Sequence, residues 1–190
     1  MKTVNALYHQ TASAIDEELS WIEASKVDPR QFGRLYQKYY TEIFRYIWKR
    51  VGDEELSATL VSNVFVKSLQ SIQKYTYRGV PFSAWLYQIA RNEINLFHRS
   101  NQRSRTVTMD SYQLKEVVSE MDEDSSEENI QLLLKGMDQL HPEELELLEM
   151  RYFEKRSFKE VSEILEIKEG TAKVKMHRVI QKLKDLILKS

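Results

Sequence analysis

The chain has 190 residues, of which 42% are hydrophobic, and a formal net charge of −1 at pH 7, which is ordinary for a folded globular protein. It contains no cysteine, so disulfide frameworks and thiolate zinc sites are excluded. Its four histidines are scattered without paired spacing, so we predict no metal site. It shows no secretion signal and no run of about 18 apolar residues, so we predict a cytoplasmic protein without membrane insertion.

Charge is unevenly distributed along the chain. Residues 1–105 carry a net charge of +5, residues 106–130 carry −7, and residues 131–190 carry +1. Two neutral-to-basic parts therefore flank an acidic connector. Because only five glycines and three prolines interrupt the sequence, helices should dominate. We predict an all-α fold of two small helical domains.

The N-terminal part, residues 1–105, shows helical periodicity in four segments. Asp28, Pro29 and Gln31 form a helix-start signature, and the helix that follows stops at Gly52. Apolar residues recur at helical spacing in the other segments as well. The predicted helices cover residues 15–24, 28–51, 60–72 and 81–99. Together they predict a four-helix domain.

The connector, residues 106–129, includes an acidic, serine-containing run over residues 121–129 that has little apolar surface to bury. We predict that it is a flexible linker. Beyond it, residues 130–190 form a second helical domain. Within that domain, Ser157 and Glu160 form a capping box for one helix, and a short break separates this helix from the last one.

The last helix is strongly basic. Six basic residues and His177 lie between Lys168 and Lys184. A basic helix after a short helix and a tight break is typical of a helix-turn-helix whose second helix enters the major groove of DNA. The alternative is a solvated basic face. We predict DNA contacts from the first half of the helix, at Lys173, Lys175, His177 and Arg178, and burial of its apolar side, at Val174, Met176, Val179, Ile180 and Leu183.

A second set of candidates interleaves basic and aromatic side chains, the pattern that single-stranded nucleic acid requires because cations follow phosphates and rings stack on bases. The candidates in this set are Lys74, Tyr75, Tyr77, Arg78, Tyr87, Arg91, Asn92 and Arg99. Phe82, Trp85 and Ile89 share a helical stripe and are predicted to be core. The aromatic residues off that stripe are the better candidates for ligand contact.

Catalytic motifs are absent from the sequence. It has no glycine-rich phosphate loop, no Gly-x-Ser-x-Gly elbow and no His-Glu-x-x-His pair. We therefore predict that the protein is not an enzyme and requires no cofactor.

The motifs, in this order, resemble those of the extracytoplasmic-function sigma factors of bacterial RNA polymerase. Residues 32–50 resemble the opening helix of the family, and Val80–Asn92 its Phe-x-x-Trp-Leu-x-x-Ile-Ala-x-Asn signature. The segment from Arg151 through Gly170 and Thr171 to Arg178 resembles its terminal helix-turn-helix. The resemblance extends from about residue 16 to residue 186.

This resemblance implies an alternative sigma factor that binds core polymerase, melts the −10 promoter element with its first domain and reads the −35 element with its second. The loop Thr76–Pro81 would hold a flipped-out −10 base. The −35 residues would be Lys168, Thr171, Lys173, Lys175, His177 and Arg178. Core-polymerase binding would fall to Asp53, Glu54, Glu55 and Asn63, and an anti-sigma factor is a further implied partner.

In three places the sequence departs from the family pattern. Leu96 replaces the aspartate often found four residues after the asparagine of the signature. Leu56–Asn63 replaces an acidic motif that the family uses to dock on the polymerase clamp, and Glu166 replaces the glycine usual in the helix-turn-helix bend. Two alternative functions stay open. One is a stand-alone helix-turn-helix regulator, and the other is a sigma-like decoy or adaptor that binds an inhibitory partner and not DNA.

Overall fold

The computed structural model describes residues 12–101, 111–121 and 126–188, and every regular element in these ranges is helical. The chain divides into two compact units between Thr108 and Met109. The predicted all-α fold with two helical domains is confirmed. Within the described ranges, no helix combines the length and the apolarity that crossing a bilayer requires.

The N-terminal unit contains the four predicted helices. They are α1 (Ala12–Val27), α2 (Gly33–Val51), α3 (Glu54–Ser71) and α4 (Phe82–Asn101), with short 3-10 turns at Pro29–Phe32 and Ile72–Lys74. Asp28 caps the first of these turns by accepting a hydrogen bond from the Arg30 amide. Gly52 ends α2 in the left-handed conformation, at φ 72°, which costs a glycine little. Asp53 then caps α3 through the Leu56 amide.

The core of this unit lies where α2, α3 and α4 meet. Helix α4 packs against both α2 and α3, so a broad part of its surface is buried. Phe82 is fully buried, with its ring centroid 6.2 Å from that of Tyr39 and 5.3 Å from that of Trp85. Aromatic rings thus close the core at the N-terminal end of α4, directly beneath the segment that precedes it.

The described part of the C-terminal unit contains five α-helices and a π-helical turn. They are α5 (Ser111–Glu120), α6 (Glu127–Met137), α7 (Pro142–Leu148), the turn Glu149–Phe153, α8 (Phe158–Ile164) and α9 (Glu169–Leu188). The predicted capping box is present: the Glu160 amide donates to Ser157 Oγ at 3.2 Å, and the Ser157 amide donates to Glu160 Oε2 at 2.9 Å. The box fixes where α8 begins, and therefore where the helix-turn-helix begins.

Helix α5 contradicts the prediction of a flexible linker over residues 106–129. Leu114, Val117, Val118 and Met121 are all buried within the C-terminal unit, and Gln113 Nε2 donates to the carbonyl of Phe153 at 3.1 Å. These apolar residues follow helical spacing, which stabilises an amphipathic helix even beside an acidic run. Residues 106–110 and 122–125 of the predicted linker lie outside the described ranges.

The bend between α8 and α9 is tight and backbone-driven. The Leu165 amide donates to the Val161 carbonyl at 2.9 Å, and the Ile167 amide donates to the Ser162 carbonyl at 3.0 Å. This pattern ends a helix through a left-handed residue, which here is Glu166 at φ 56°. A non-glycine residue is strained in that conformation.

We expect Glu166→Gly to stabilise the C-terminal unit by about 0.5 to 1 kcal/mol, because the relief of left-handed strain exceeds the added freedom of glycine in the unfolded chain. Amide hydrogen exchange in α8 and α9 should slow about two- to fivefold. Glu166→Ala is the matched control, since it removes the same charge but keeps the strain. Equal exchange rates in the two variants would contradict this explanation.

Candidate nucleic-acid interfaces

Helix α9 is anchored by one apolar side. Ala172, Met176, Val179 and Leu183 are buried, and α9 packs against α6, α7 and α8. Successive residues of an α-helix are rotated by about 100°, so this buried stripe leaves the opposite side in solvent. The helix is therefore held firmly while one side stays available to a ligand.

The predicted DNA-contacting residues lie on the solvent face of α9 and, for Lys168, directly before the helix. Lys168, Thr171, Lys173, Lys175, His177 and Arg178 are all exposed. By helical rotation, Thr171 and Arg178 lie close to the centre of this face, whereas Lys173 and Lys175 lie on its two flanks. That distribution suits a groove-docked helix, whose centre meets base edges and whose flanks meet phosphates.

Val174 was predicted to be buried, and this prediction was wrong: 52% of its surface is exposed. It lies at the centre of the solvent face, between Thr171 and Arg178, because the buried stripe follows positions 172, 176, 179 and 183. Apolar side chains in the major groove contact the methyl group of thymine. Val174 is therefore a candidate base contact that hydrophobicity alone assigned to the core.

Some basic residues of α9 form surface ion pairs. Lys173 pairs with Glu169 at 2.5 Å and Lys175 pairs with Glu143 at 3.6 Å. Exposed pairs of this kind contribute little stability, so phosphates can replace the carboxylates. Among the described residues, Arg178 forms no ion pair.

Lys182 pairs with a carboxylate of α7. It donates to Glu144 Oε2 at 2.9 Å, and this hydrogen bond, together with one from the His141 amide, lowers the pKa of Glu144. Lys182 therefore helps to join α9 to α7, and it is a weaker candidate for phosphate contact than the flanking lysines.

In the N-terminal unit, the segment between the Ile72–Lys74 turn and α4 forms an exposed loop. Gly79 adopts φ 76°, and Val80 is buried beneath the loop. Tyr77 is 39% exposed, and Arg78 is exposed beside it. The loop therefore presents one aromatic ring and one cation to solvent, and a helical element borders it at each end.

Tyr75 and Tyr87 were predicted to contact nucleic acid, and the structure contradicts both predictions. Tyr75 is 9% exposed, with its ring centroid 5.1 Å from those of Phe82 and Trp85. Tyr87 is 1% exposed and packs on Tyr46 at 4.7 Å. Tyr75 precedes α4 and is covered by the rings of Phe82 and Trp85. Tyr87 is buried because the buried side of α4 includes positions 86, 87, 90 and 94, whereas Trp85 and Ile89 of the predicted stripe are only half-buried.

The remaining residues of this set lie at the surface. Lys74, Asn92 and Arg99 are exposed, and Arg91 is half-buried. Leu96, which is 55% exposed, lies between Asn92 and Arg99 on the same face of α4. Sequence reasoning treated Leu96 only as the loss of a polar family residue and did not predict an exposed apolar side chain on this face.

The four residues predicted to bind core polymerase, Asp53, Glu54, Glu55 and Asn63, are all exposed on α3 or at its start. Sequence reasoning missed a nearby aromatic run on α2, at Tyr36, Tyr40, Phe44 and Trp48, which repeats every four residues. Neighbouring rings contact each other, at 5.2 Å for Tyr36 and Tyr40 and 6.1 Å for Tyr40 and Phe44. Trp48 is 47% exposed.

Within the described ranges, no cluster of potential ligands could hold a metal ion.

An exposed basic recognition face in one helical unit and an exposed aromatic loop in another define a nucleic-acid-binding protein. Two family models match the chain: Sigma-70 region 2 over residues 35–104 and Sigma-70, region 4 over residues 136–185. The first covers most of α2 with α3 and α4, and the second covers the end of α6, α7, α8 and most of α9.

Curated relatives point to the same family. The ECF RNA polymerase sigma factor BldN of Streptomyces coelicolor is 32% identical over 82% of this chain, and the match spans 60% of its own length. The RNA polymerase sigma factor YlaC of Bacillus subtilis is 30% identical over 82% of this chain and 91% of that protein. The ECF sigma factor SigM of Bacillus subtilis is 26% identical over 80% of this chain and 92% of that protein. The chain belongs to the extracytoplasmic-function sigma factors.

Solved structures agree on the fold. CnrH, in complex with the cytosolic domain of CnrY, matches with a TM-score of 0.58 and 15% identity, covering 91% of this chain and 97% of that one. RpoE of Bartonella quintana, in complex with the anti-sigma factor NepR, matches with a TM-score of 0.53 and 17% identity, covering 83% of this chain and 96% of that one.

Proposed function

We propose that this sigma factor binds core RNA polymerase in the cytoplasm and directs initiation at specific promoters, contributing binding and strand capture and no catalysis of its own. The observation that carries the proposal is the presence of both sigma regions in one chain, in family order, each with candidate nucleic-acid-binding residues exposed. A stand-alone regulator needs the α9 face but not the exposed loop of the N-terminal unit.

At the −35 element, α9 would enter the major groove of the duplex. Arg178 would donate to a guanine edge, Val174 would contact a thymine methyl group, and Thr171 would hydrogen-bond a base or a phosphate. Lys168, Lys173, Lys175 and His177 would neutralise phosphates along the groove walls. Phosphate contacts position the helix and base contacts select the sequence, so specificity rests on the central residues.

At the −10 element, the loop Thr76–Pro81 would capture one base of the non-template strand. Tyr77 supplies an exposed ring on which a base can stack, and Arg78 supplies a cation for the adjoining phosphate. The exposed face of α4, with Asn92, Leu96 and Arg99, would follow the strand away from the loop. Capture of an unstacked base stabilises the melted state, because the paired duplex cannot offer that base.

The polymerase clamp would dock on α3 through Asp53, Glu54, Glu55 and Asn63. The middle of the exposed side of α3 carries Thr59, Ser62 and Val66, so docking there depends on polar and apolar contacts as well as on charge. An anti-sigma factor, the class of partner with which RpoE is solved, is proposed as the inhibitory partner.

The deciding test is co-purification of the full chain with bacterial core polymerase at two salt concentrations, followed by run-off transcription on genomic fragments. Stable association with promoter-specific transcripts supports the proposal. DNA binding to a palindromic site without polymerase association would favour the stand-alone regulator. Binding to an inhibitory protein with neither polymerase nor DNA binding would favour the decoy.

Tyr77→Ala should weaken binding of a single-stranded −10 oligonucleotide by the assembled holoenzyme about 5- to 100-fold, because stacking of one base on an aromatic ring is lost. Tyr77→Phe should retain the affinity, since the ring remains. Val27→Ala on α1 is the control, since Val27 is 88% exposed and lies outside the loop. Fluorescence anisotropy at saturating sigma factor measures the effect, and equal affinities of the two alanine variants would rule out base stacking on Tyr77.

A further inference from the structure

Helix α1 precedes the segment that matches Sigma-70 region 2, which begins at residue 35. It nevertheless forms hydrogen bonds with both ends of the exposed loop. At one end its residue Glu18 contacts the start of α4, and at the other end Lys26 contacts the residues that lead into the loop. These two residues lie two turns apart on one helix, so both ends of the loop are hydrogen-bonded to the same rigid element.

The Glu18 carboxylate holds the start of α4. It is 2% exposed and accepts a hydrogen bond from the Phe82 amide at 2.6 Å. It also accepts from Lys38 Nζ at 2.7 Å and from the hydroxyl of Tyr39. The Phe82 amide is among the first amides of α4, which have no partner within the helix, and a carboxylate is favoured at that end of a helix. Glu18 therefore serves as a cap supplied from a distant part of the chain.

The other end of the loop is held through Lys26. Gln73 Nε2 donates to the Lys26 carbonyl at 2.5 Å, and Lys26 Nζ donates to the Tyr75 carbonyl at 3.3 Å. Tyr75 is itself buried against Phe82 and Trp85. The loop from Thr76 to Pro81 is thus anchored to α1 at the residues that precede and follow it.

Packing α1 onto the unit does not by itself require a buried carboxylate. Ile22 of α1 is already buried at 1% exposure, and apolar residues in place of a buried ion pair are often as stable or more so. A buried carboxylate that accepts a hydrogen bond from one particular amide instead fixes the position of that amide, because the bond weakens when the amide is displaced.

We propose that Glu18 is a positioning residue for the −10 loop, and that α1 sets how well the loop captures an unpaired base. This inference rests on the proposed function and adds a residue to it. Glu18 holds the first turn of α4 and so fixes the position of Tyr77 and Arg78 relative to the core. Without it, α4 stays folded but its start, and the loop before it, sample several positions.

The test uses reconstituted holoenzyme with Glu18→Ala, with Glu18→Gln, which keeps one acceptor oxygen, and with Glu17→Ala as the control. Glu17 is the exposed neighbour of Glu18 on α1, so its removal subtracts the same charge. Glu18→Ala should lower affinity for a single-stranded −10 oligonucleotide about tenfold. Glu18→Gln should recover part of the loss, and Glu17→Ala should bind as the parent does. Affinity for core polymerase and for a −35 duplex should not change.

Equal losses in −10, −35 and core binding would show that Glu18 is merely structural and would overturn the proposal, as would normal −10 binding by Glu18→Ala. Should Glu18→Ala fail to fold, Gln73→Ala tests the other end of the loop by the same readouts, and unchanged −10 binding there would overturn the proposal. Absence of promoter-specific transcription by the parent protein would instead mean that the proposed function itself fails.

Discussion

Replacing Arg178 with glutamate should lower affinity for a −35 duplex about 100-fold or more. A bidentate contact to a guanine edge contributes about 1 to 3 kcal/mol of discrimination, and a carboxylate at the same place adds repulsion from the phosphates. Arg178 is exposed near the centre of the solvent face of α9, so the change should leave the fold intact. The experiment is titration of a labelled duplex with holoenzyme at a stated salt concentration.

Two comparisons separate base reading from general attraction. Lys135→Glu makes the same change of charge on an exposed residue of α6 and should reduce affinity only slightly. Lys175→Ala should weaken all duplexes nearly equally and reduce the salt dependence by about one phosphate contact, as expected for a flanking residue. If Arg178→Glu and Lys135→Glu had similar effects, α9 would not be the reading helix.

Replacing Phe82 with alanine should destabilise the N-terminal unit by about 3 to 5 kcal/mol. The ring is fully buried and contacts Tyr39, Tyr75 and Trp85. Its removal leaves a cavity beneath the exposed loop that the surrounding rings can fill only in part. Loss of −10 binding should accompany the loss of stability, because Tyr75 would lose a principal support.

Tryptophan fluorescence suits this measurement because the three tryptophans, Trp21, Trp48 and Trp85, all lie in the N-terminal unit. Denaturant unfolding followed at the tryptophans therefore reports on this unit alone. Val66→Ala is the matched control on α3, since Val66 is 54% exposed and its truncation should change stability by no more than about 0.5 kcal/mol. Similar midpoints for the two variants would show that Phe82 does not support this core.

Local sequence signals were sufficient wherever the physics is local. Asp28, Gly52 and the Ser157–Glu160 box start or stop helical turns through contacts within a few residues. The structure has Gly52 and the box as predicted, whereas Asp28 caps a 3-10 turn that leads into α2. The linker prediction over α5 was wrong for the opposite reason. The apolar residues of α5 stabilise a helix only when another surface covers them, and a judgement based on composition gave more weight to the neighbouring acidic run.

Predictions of which side chains are exposed were right only where the residue type itself disfavours burial. The basic residues of α9 are exposed because charged side chains are rarely buried without partners. Aromatic and aliphatic residues can be either buried or exposed, and which of the two they are depends on the helices that cover them. Tyr75 and Tyr87 became core residues for this reason, and Val174 became a surface residue.

By itself, the sequence determined the helical class, the helix boundaries set by caps and glycines, and the charge of the recognition helix, because each depends on residues within about a turn of one another. Only the tertiary structure decided which rings face solvent and which distant groups meet. The bond from the Phe82 amide to Glu18 joins residues 64 positions apart. Such a contact depends on how α1 packs on α2 and on the Ile72–Lys74 turn, which no spacing along the chain can specify.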